Sequence, residues 1–383
     1  MERLATKVQV YEINDGYKSF GKAVREASHG GQVLLFAEND ERGENAEAAL
    51  ALEGLKVTRR PPAKSDASWS DVLPEGVLAV VGAGGGAAMD AAKSVNAWGI
   101  PKLLFPTDLS ALCALSDRVI RESAADISLR PSDGHTVLYD KTVLGASGGV
   151  RAGLGYLLAA LTEMTDAAFE GLLLSREIPA LPLRTIKEKA ALLSVIREED
   201  AAAGIAETSL ALLAEDGLPR ASSAHIFALL TARKFGGHYS DHLFCAAYTL
   251  LKLYRAYLGD LPLEHCPPPD RAKNLSLLEE GCRLAPSLVS SKQKPYAAGY
   301  EERMHRTAEY REDFLECIAE DVLPLGVLSR LYRRTPPAAG EGRQLGAEEL
   351  LSLLSLTGEA VSGYPLLKHV KMTGLLEPLL LCG

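Results

Sequence analysis

Short apolar segments alternate with amphipathic ones over the first 150 residues. Residues 32–37 form an apolar run after His29-Gly30-Gly31, which predicts a buried strand preceded by a helix that ends at the glycines. Residues 45–53 are rich in Ala, Glu and Leu and predict a helix. Further strands are predicted at 55–59, 76–81, 103–105 and 136–139. Uniformly apolar strands between helices favour a parallel sheet, because crossover helices bury both of its faces.

Beyond about residue 150 the pattern changes to helical spacing of Ala, Leu and Glu. Helices are predicted at 151–169, 185–200, 201–215, 240–257, 297–321 and 346–358. The proline-rich stretches 266–270 and 334–342 are predicted to be loops between helices. The expected architecture is an N-terminal α/β Rossmann-like parallel-sheet domain over residues 1–148 and an all-α C-terminal domain over residues 149–383.

Composition excludes several classes of function. The 383 residues exceed what one hydrophobic core usually holds, which favours two domains. A formal charge of -9 repels nucleic-acid phosphates. The six cysteines form no CxxC pair, no secretory segment follows Met1, and no apolar run approaches the roughly 20 residues of a membrane helix. We therefore expect a soluble cytoplasmic protein that binds no nucleic acid and does not insert into a membrane.

A glycine-rich turn separates a predicted strand from a predicted helix. Val80-Val81 leads into Gly82-Ala83-Gly84-Gly85-Gly86, and a helix follows through Lys93. Glycines let the backbone approach a ligand, and the helix start presents unpaired N–H groups that suit a pyrophosphate. A purely structural turn is the alternative. The usual dinucleotide fingerprint lies at the first βα turn, whereas this one comes after about three predicted strands.

Residues 84–93 resemble the Gly-Gly-Gly-Ser-x-x-Asp-x-x-Lys signature of the iron-dependent alcohol dehydrogenase and dehydroquinate synthase superfamily, and Phe105-Pro106-Thr107 follows at the usual distance. The resemblance implies a dehydroquinate synthase-like fold that binds NAD(H) or NADP(H). Glu38 suits a hydrogen bond to the ribose 2'-hydroxyl, which favours NAD, or is simply a solvated loop charge. The implied cofactor-binding residues are Glu38, Gly84, Gly85, Gly86, Asp90, Thr107 and Ser110.

Members of this superfamily hold a metal with one carboxylate and two histidines of the helical domain. Residues 220–225 resemble the Ser-Gly-x-Glu-His stretch of sn-glycerol-1-phosphate dehydrogenases, and Asp241-His242 resembles their His-Gly-Glu stretch. The resemblance implies that His225 and His242 bind a divalent metal (Zn, Fe or Ni) that polarises a substrate hydroxyl. His238 ranks below His242 because the helix is expected to begin near Ser240. The other histidines have no motif: His29, His135, His265, His305 and His369.

Three positions depart from that pattern. Tyr156 stands where the family has the metal-binding Asp, and Leu112 and Phe244 replace polar residues of its pocket. A tyrosine is neutral at pH 7, so metal affinity should fall. Tyr156 is predicted to be a third ligand or an acid/base, with His242 also acting in catalysis. Asp166 lies too far along the helix to replace the lost Asp.

The resemblance spans nearly the whole chain, with further similar segments at 135–140, 364–368 and 373–377. The first hypothesis is a homo-oligomeric dehydrogenase of the sn-glycerol-1-phosphate type that acts on a small, phosphorylated polyol or ketone. The second is a nucleotide-binding paralogue without catalysis, and the third is a sugar-phosphate cyclase, which the Asp90-Ala-Ala-Lys93 form of the motif disfavours. Candidate cations for a substrate phosphate are Lys292, Lys294, Arg303 and Lys368.

Overall fold

The computed structural model describes about two thirds of the chain. The described residues are 8–62, 73–97, 99–122, 127–145, 149–173, 223–237, 239–260, 300–310, 345–361 and 365–382, with short pieces at 188, 191–192, 195, 203–205, 208, 279–281, 283–285, 312, 330, 334 and 363. The chain divides into two compact units. The first is Met1–Ala124, Ser128–Gly153 and Arg197–Ala214, and the second is the remainder.

A six-stranded parallel sheet organises the first unit, in the order β1-β8-β5-β4-β2-β3. Each strand that the apolar pattern predicted is present within two or three residues of its expected ends. The strands are β1 (Val8–Glu12), β2 (Gln32–Phe36), β3 (Lys56–Arg60), β4 (Val77–Gly84), β5 (Lys102–Pro106), β6 (Arg118–Glu122), β7 (Ile127–Pro131) and β8 (His135–Tyr139).

Strands β1, β6 and β7 were not predicted. β1 lies at the edge of the sheet, beside β8, and none of its residues is fully buried, so it lacks the apolar run that marks the inner strands. β6 and β7 form a separate two-stranded sheet. With β1 included, the glycine-rich turn follows the fourth strand of the chain rather than the third that the apolar runs indicated.

The helices of this unit are α1 (Tyr17–Ala27), α2 (Glu41–Leu52), α3 (Gly86–Ser94) and α4 (Lys141–Gly145), with a 3₁₀ helix at Leu109–Leu115. α2 begins before the predicted residue 45 because Asp40 caps it, accepting a hydrogen bond of 2.9 Å from the Gly43 N–H. α1 ends as expected at the glycines, where Gly30 adopts a φ of +74°. Phe20 and Phe105 stack at 4.6 Å within the core between α1 and the sheet.

The described elements of the second unit are helices, apart from Ile127 of β7. α5 starts in the first unit and continues in the second, and α7 begins at Tyr239, one residue before the predicted start. No helix among the described residues combines the length and the apolar character needed to cross a membrane. The helices are α5 (Val150–Leu173), α6 (Ser223–Phe235), α7 (Tyr239–Asp260), α8 (Tyr300–Glu309), α9 (Ala347–Ala360), α10 (Leu366–Met372) and α11 (Leu376–Cys382).

Candidate functional site

Strand register gathers three predicted cofactor-binding segments at one edge of the sheet. β2 pairs with β4 so that Phe36 lies opposite Gly82, and β4 pairs with β5 so that Gly84 lies opposite Pro106. Parallel neighbours end at the same edge, which in open α/β sheets is where ligands bind. Glu38, the glycine loop and Thr107 therefore follow adjacent strands.

The glycine loop, Gly84-Gly85-Gly86, requires glycine for two separate reasons. Gly84 has a φ of +134°, which other residues rarely adopt, and a Cβ there would lie 2.0 Å from Glu38 Oε2. A Cβ on Gly86 would lie 2.8 Å from the Ser110 carbonyl oxygen. α3 begins at Gly86, so the loop is also the positive end of a helix dipole.

Side-chain oxygen atoms already face the loop amides. The Gly85 N–H donates to Glu38 Oε2 and the Gly86 N–H donates to Ser110 Oγ, each at 3.4 Å. Ser110 Oγ in turn donates to Asp108 Oδ1 at 2.5 Å. Burial raises the pKa of Glu38 and outweighs the hydrogen bonds from its own backbone and from Gly85, while Asp40 and Asp108 add to the increase. The loop thus attracts acceptors, as an anion site should.

Thr107 supplies a buried hydroxyl beside this loop. Its backbone N–H donates to the Gly84 carbonyl at 3.1 Å, and the residue is 1% exposed. Its Oγ1 has no hydrogen-bond partner among the described residues. A buried hydroxyl without a partner is costly, and a ligand with polar groups would satisfy it.

Two arginines that the sequence analysis did not single out lie near Glu38. Arg42 Nη1 is 2.6 Å from Asp108 Oδ2. Arg59 donates to the Glu38 carbonyl and places Nη1 3.0 Å from Glu47 Oε2. Arg42 lies in the first turn of α2, shortly after Glu38, the predicted ribose partner. This short separation along the sequence was the signal that could have identified Arg42.

Asp90 is paired with Lys93, the other charged residue of the glycine motif. Lys93 Nζ lies 2.9 Å from Asp90 Oδ1 and also donates to the carbonyls of Cys113 and Arg118, at 2.8 and 2.6 Å. Burial raises the pKa of Asp90, and the Lys93 ammonium opposes that increase. Through these hydrogen bonds, Lys93 connects α3 to the 3₁₀ helix and to β6.

In the second unit, the structure surrounds His225 with polar groups. His225 Nδ1 is hydrogen-bonded to the Tyr239 hydroxyl, and Nε2 lies 3.7 Å from Glu163 Oε1. The ring centroid of Tyr156 is 6.2 Å from that of His225. Burial lowers the pKa of His225 to about 4, so the imidazole is neutral at pH 7. Two of the three predicted metal ligands, His225 and Tyr156, are therefore neighbours.

Glu163 and Tyr239 are residues of this cluster that the sequence analysis missed. Glu163 is 7% exposed and lies seven residues after Tyr156 on α5. Two turns of a helix bring such positions to the same face, so the spacing was a usable signal. No sequence signal indicated Tyr239, because its contact with His225 depends on how α6 and α7 pack.

His242, the third predicted ligand, has its Nε2 engaged by the backbone. That nitrogen lies 2.6 Å from the Gly236 carbonyl oxygen, so it carries the hydrogen and donates. Among the described residues, no group of three or more His, Cys, Asp or Glu is arranged to hold a metal ion. His238 lies outside the described residues.

Asp166 is committed to a separate, fully buried cluster in the second unit. Its carboxylate accepts hydrogen bonds from the Ser223 hydroxyl (2.7 Å), the Tyr254 hydroxyl (2.8 Å) and the Leu366 N–H (3.0 Å). Burial raises its pKa to about 6, against the opposite influence of Ser223, Tyr254 and Leu366. The four residues connect α5, α6, α7 and α10.

The remaining residues that the sequence singled out are buried, bonded to the backbone, or outside the described residues. His135 and His369 are buried, and burial lowers their pKa values to about 4 and about 3. Leu112 and Phe244 are both buried as well. Lys368 Nζ donates to two backbone carbonyls. The candidate cations Lys292 and Lys294 lie outside the described residues, as does His265.

Comparisons with known proteins place the fold. No protein-family model matches the chain, and no curated protein sequence matches it either. Solved structures with a similar fold are found. A glycerol dehydrogenase from Schizosaccharomyces pombe is 15% identical with a TM-score of 0.55, over 100% of this chain and 92% of that one.

Two dehydrogenases from Thermotoga maritima are similar at 12% identity each. The iron-containing alcohol dehydrogenase has a TM-score of 0.53, over 97% of this chain and 98% of that one, and the NADH-dependent butanol dehydrogenase A has 0.54, over 98% of both. The chain has the fold of these dehydrogenases. The predicted combination of a parallel α/β domain and a helical region, in a dehydroquinate synthase-like fold, is confirmed.

Proposed function

We propose that this chain is an NAD(P)-dependent oxidoreductase of the sn-glycerol-1-phosphate dehydrogenase type. It transfers hydride between a nicotinamide cofactor and a small, phosphorylated polyol or ketone. The main support is the glycine loop, whose positive-φ Gly84 and helix start at Gly86 present N–H groups at the carboxyl edge of a parallel sheet. The similar folds of a glycerol dehydrogenase and an NADH-dependent butanol dehydrogenase agree with this activity.

In this proposal the dinucleotide's pyrophosphate takes the place of Glu38 at the Gly85 N–H. Glu38 then accepts hydrogen bonds from the ribose hydroxyls, as acidic residues after a Rossmann strand do. Thr107 donates its buried hydroxyl to the ligand, which removes the cost of leaving that group unpaired. Ser110 continues to order the loop through its bond with Asp108.

The second unit contributes the proposed substrate chemistry. When bound, a divalent metal supplies the polarisation that lowers the pKa of a substrate hydroxyl. His225 and Glu163 carry the donor types that suit such a metal, an imidazole nitrogen and a carboxylate oxygen. An Nδ1–H donated to Tyr239 leaves the His225 lone pair on Nε2, on the side of Glu163. Tyr156 offers a neutral hydroxyl in place of the Asp of the family pattern.

Cofactor and metal binding together test the proposal. We expect NADH fluorescence to report binding at micromolar concentrations, and protein purified without chelator to contain a divalent metal on elemental analysis. Failure of both NADH and NADPH to bind would refute the proposed function. A Gly84→Ala variant that bound NADH as well as the wild type would refute the assignment of the loop.

A nucleotide-binding paralogue without catalysis is the second candidate. Tyr156 favours it, because the residue replaces a charged ligand with a neutral one, and so does the engagement of His242 Nε2 by Gly236. This candidate predicts tight NADH binding with no metal above the level of a protein purified in parallel. The proposed oxidoreductase, in contrast, should bind NADH and also contain a divalent metal.

A further inference from the structure

We propose that Asp108 determines cofactor selectivity: by holding Arg42 in an ion pair next to Glu38, it makes the loop accept a ribose 2'-hydroxyl and reject a 2'-phosphate. The inference rests on the proposed function, since it requires that the glycine loop bind a dinucleotide. It adds a selectivity residue and commits the chain to NAD(H).

Two carboxylates flank the same glycine. Asp108 Oδ2 and Glu38 Oε1 each lie 3.4 Å from the position that a Cβ on Gly85 would occupy. Asp108 Oδ2 is also the atom that contacts Arg42 Nη1, at 2.6 Å. The positive charge of Arg42 is therefore neutralised by a carboxylate that lies against the loop.

A 2'-phosphate needs a cation that is available to it. Arginine is the usual partner of phosphate oxygens, because its planar donors match them in pairs. Both arginines near Glu38 are ion-paired, Arg42 with Asp108 and Arg59 with Glu47. The Arg42 side chain is 40% exposed and that of Arg59 only 16%, so Arg42 is the one with freedom to turn towards a ligand.

Asp108 also has a structural role, which uses its other oxygen. Oδ1 accepts from the Ser110 N–H at 2.7 Å and from Ser110 Oγ at 2.5 Å, which caps the 3₁₀ helix. Oδ2 serves Arg42. An Asp108→Asn substitution with the oxygen retained at Oδ1 keeps the cap and replaces the acceptor facing Arg42 by a donor. The substitution therefore separates the two roles.

The experiment measures the Kd of NADH and of NADPH for the full chain by fluorescence titration. The wild type should favour NADH. In Asp108→Asn, the ratio of NADPH affinity to NADH affinity should rise about 10-fold, because Arg42 is released to pair with the 2'-phosphate. Adding Arg42→Ala to this variant should cancel that gain. Glu53→Gln is the matched control, because it breaks an ion pair with Arg25 at the other end of α2 and should leave the ratio unchanged.

The outcomes separate the inference from the proposed function. If the wild type binds neither dinucleotide, the proposed function fails and the inference with it. If the wild type binds NADH but the ratio in Asp108→Asn matches that of Glu53→Gln, or the gain survives Arg42→Ala, only the inference is wrong. A wild type that favours NADPH also overturns it. Should Asp108→Asn fold poorly by circular dichroism, Asp108→Ser keeps a capping oxygen and should change the ratio in the same direction.

Discussion

The glycine loop and the histidine cluster differ in what builds them. The loop consists of consecutive residues whose backbone N–H groups form the proposed site, and the strand before it and the helix after it follow from the local pattern. The cluster around His225 joins side chains from α5, α6 and the start of α7. A backbone site depends on few side chains, whereas a side-chain site changes character when one residue is replaced.

This difference explains why the resemblance to the superfamily motif is stronger at the loop than in the helical region. The loop retains the motif glycines, and in the described structure each of Gly84 and Gly86 has a steric reason to stay. In the helical region, His225 contacts Glu163 and Tyr239, residues that no motif indicated. Five predictions, in order of decreasing effect, test this contrast.

The largest effect is expected at Asp166, whose carboxylate connects four helices of the second unit. Asp166→Ala leaves the hydroxyls of Ser223 and Tyr254 and the Leu366 N–H without an acceptor, and should lower the free energy of unfolding by about 4 kcal/mol. Urea denaturation measures it. Glu302→Ala, which removes an exposed ion pair with Arg306 in the same unit, should cost under about 1 kcal/mol. Equal losses would contradict the importance of the buried cluster.

The pH dependence of stability gives a second view of Asp166. Its pKa rises from 3.8 to about 6 on folding, so the folded state favours the protonated acid. The resulting stability is fully present below pH 4 and is lost as the pH rises towards 6, by roughly 3 kcal/mol at about 1.4 kcal/mol per unit. Unfolding measured from pH 4 to 7 should show this decline relative to Asp166→Asn, which has no such titration. If the free energy of unfolding had the same pH dependence in both proteins, the titration of Asp166 would be excluded as its cause.

At the loop, Gly84→Ala should reduce NADH affinity about 100-fold, because a Cβ there is strained at positive φ and meets Glu38. Gly54→Ala is the matched control: Gly54 also has a positive φ, +79°, but a Cβ there faces open space at the end of α2. It should cost about 1 kcal/mol of stability and no affinity. Fluorescence titration and thermal unfolding of both variants distinguish a loop effect from simple strain.

A smaller change is expected when an acid is introduced beside His225. Tyr156→Asp should tighten zinc binding about 10-fold, measured by competition with a chelating dye, because an ionised carboxylate attracts the metal more than a phenol does. Tyr11→Asp, at an exposed position on β1, adds the same charge elsewhere and should change nothing. Zinc affinity that stays constant in Tyr156→Asp would show that Tyr156 and His225 do not share a metal.

The smallest effect concerns Glu38 and its raised pKa. NAD⁺ affinity measured by calorimetry should fall about 3-fold as the pH is lowered from 7 through the raised pKa of Glu38, because the protonated acid accepts ribose hydroxyls poorly. In Glu38→Gln the dependence should disappear. A decline of the same size in both proteins would assign the titration to another group.

Sequence patterns were sufficient for much of the first unit. The apolar runs at 32–37 and 76–81 indicated β2 and β4 because strands buried on both faces leave a continuous apolar signal. β1 was not predicted, because an edge strand is only partly buried and its apolar residues alternate with polar ones instead of forming a continuous run. The motif located the loop, while the acceptors that face it, Glu38 and Ser110, were placed by strand pairing and by the 3₁₀ helix.

By itself, the sequence determined the fold class, the glycine loop and the helical character of the second unit, because each of these depends on neighbouring residues and on local periodicity. Tertiary structure alone decided that Arg42 pairs with Asp108, that Glu163 and Tyr239 contact His225, and that Asp166 joins four helices. Those contacts connect residues up to 200 positions apart. They arise from how elements pack, and packing distributes burial and charge over distances that no local pattern records.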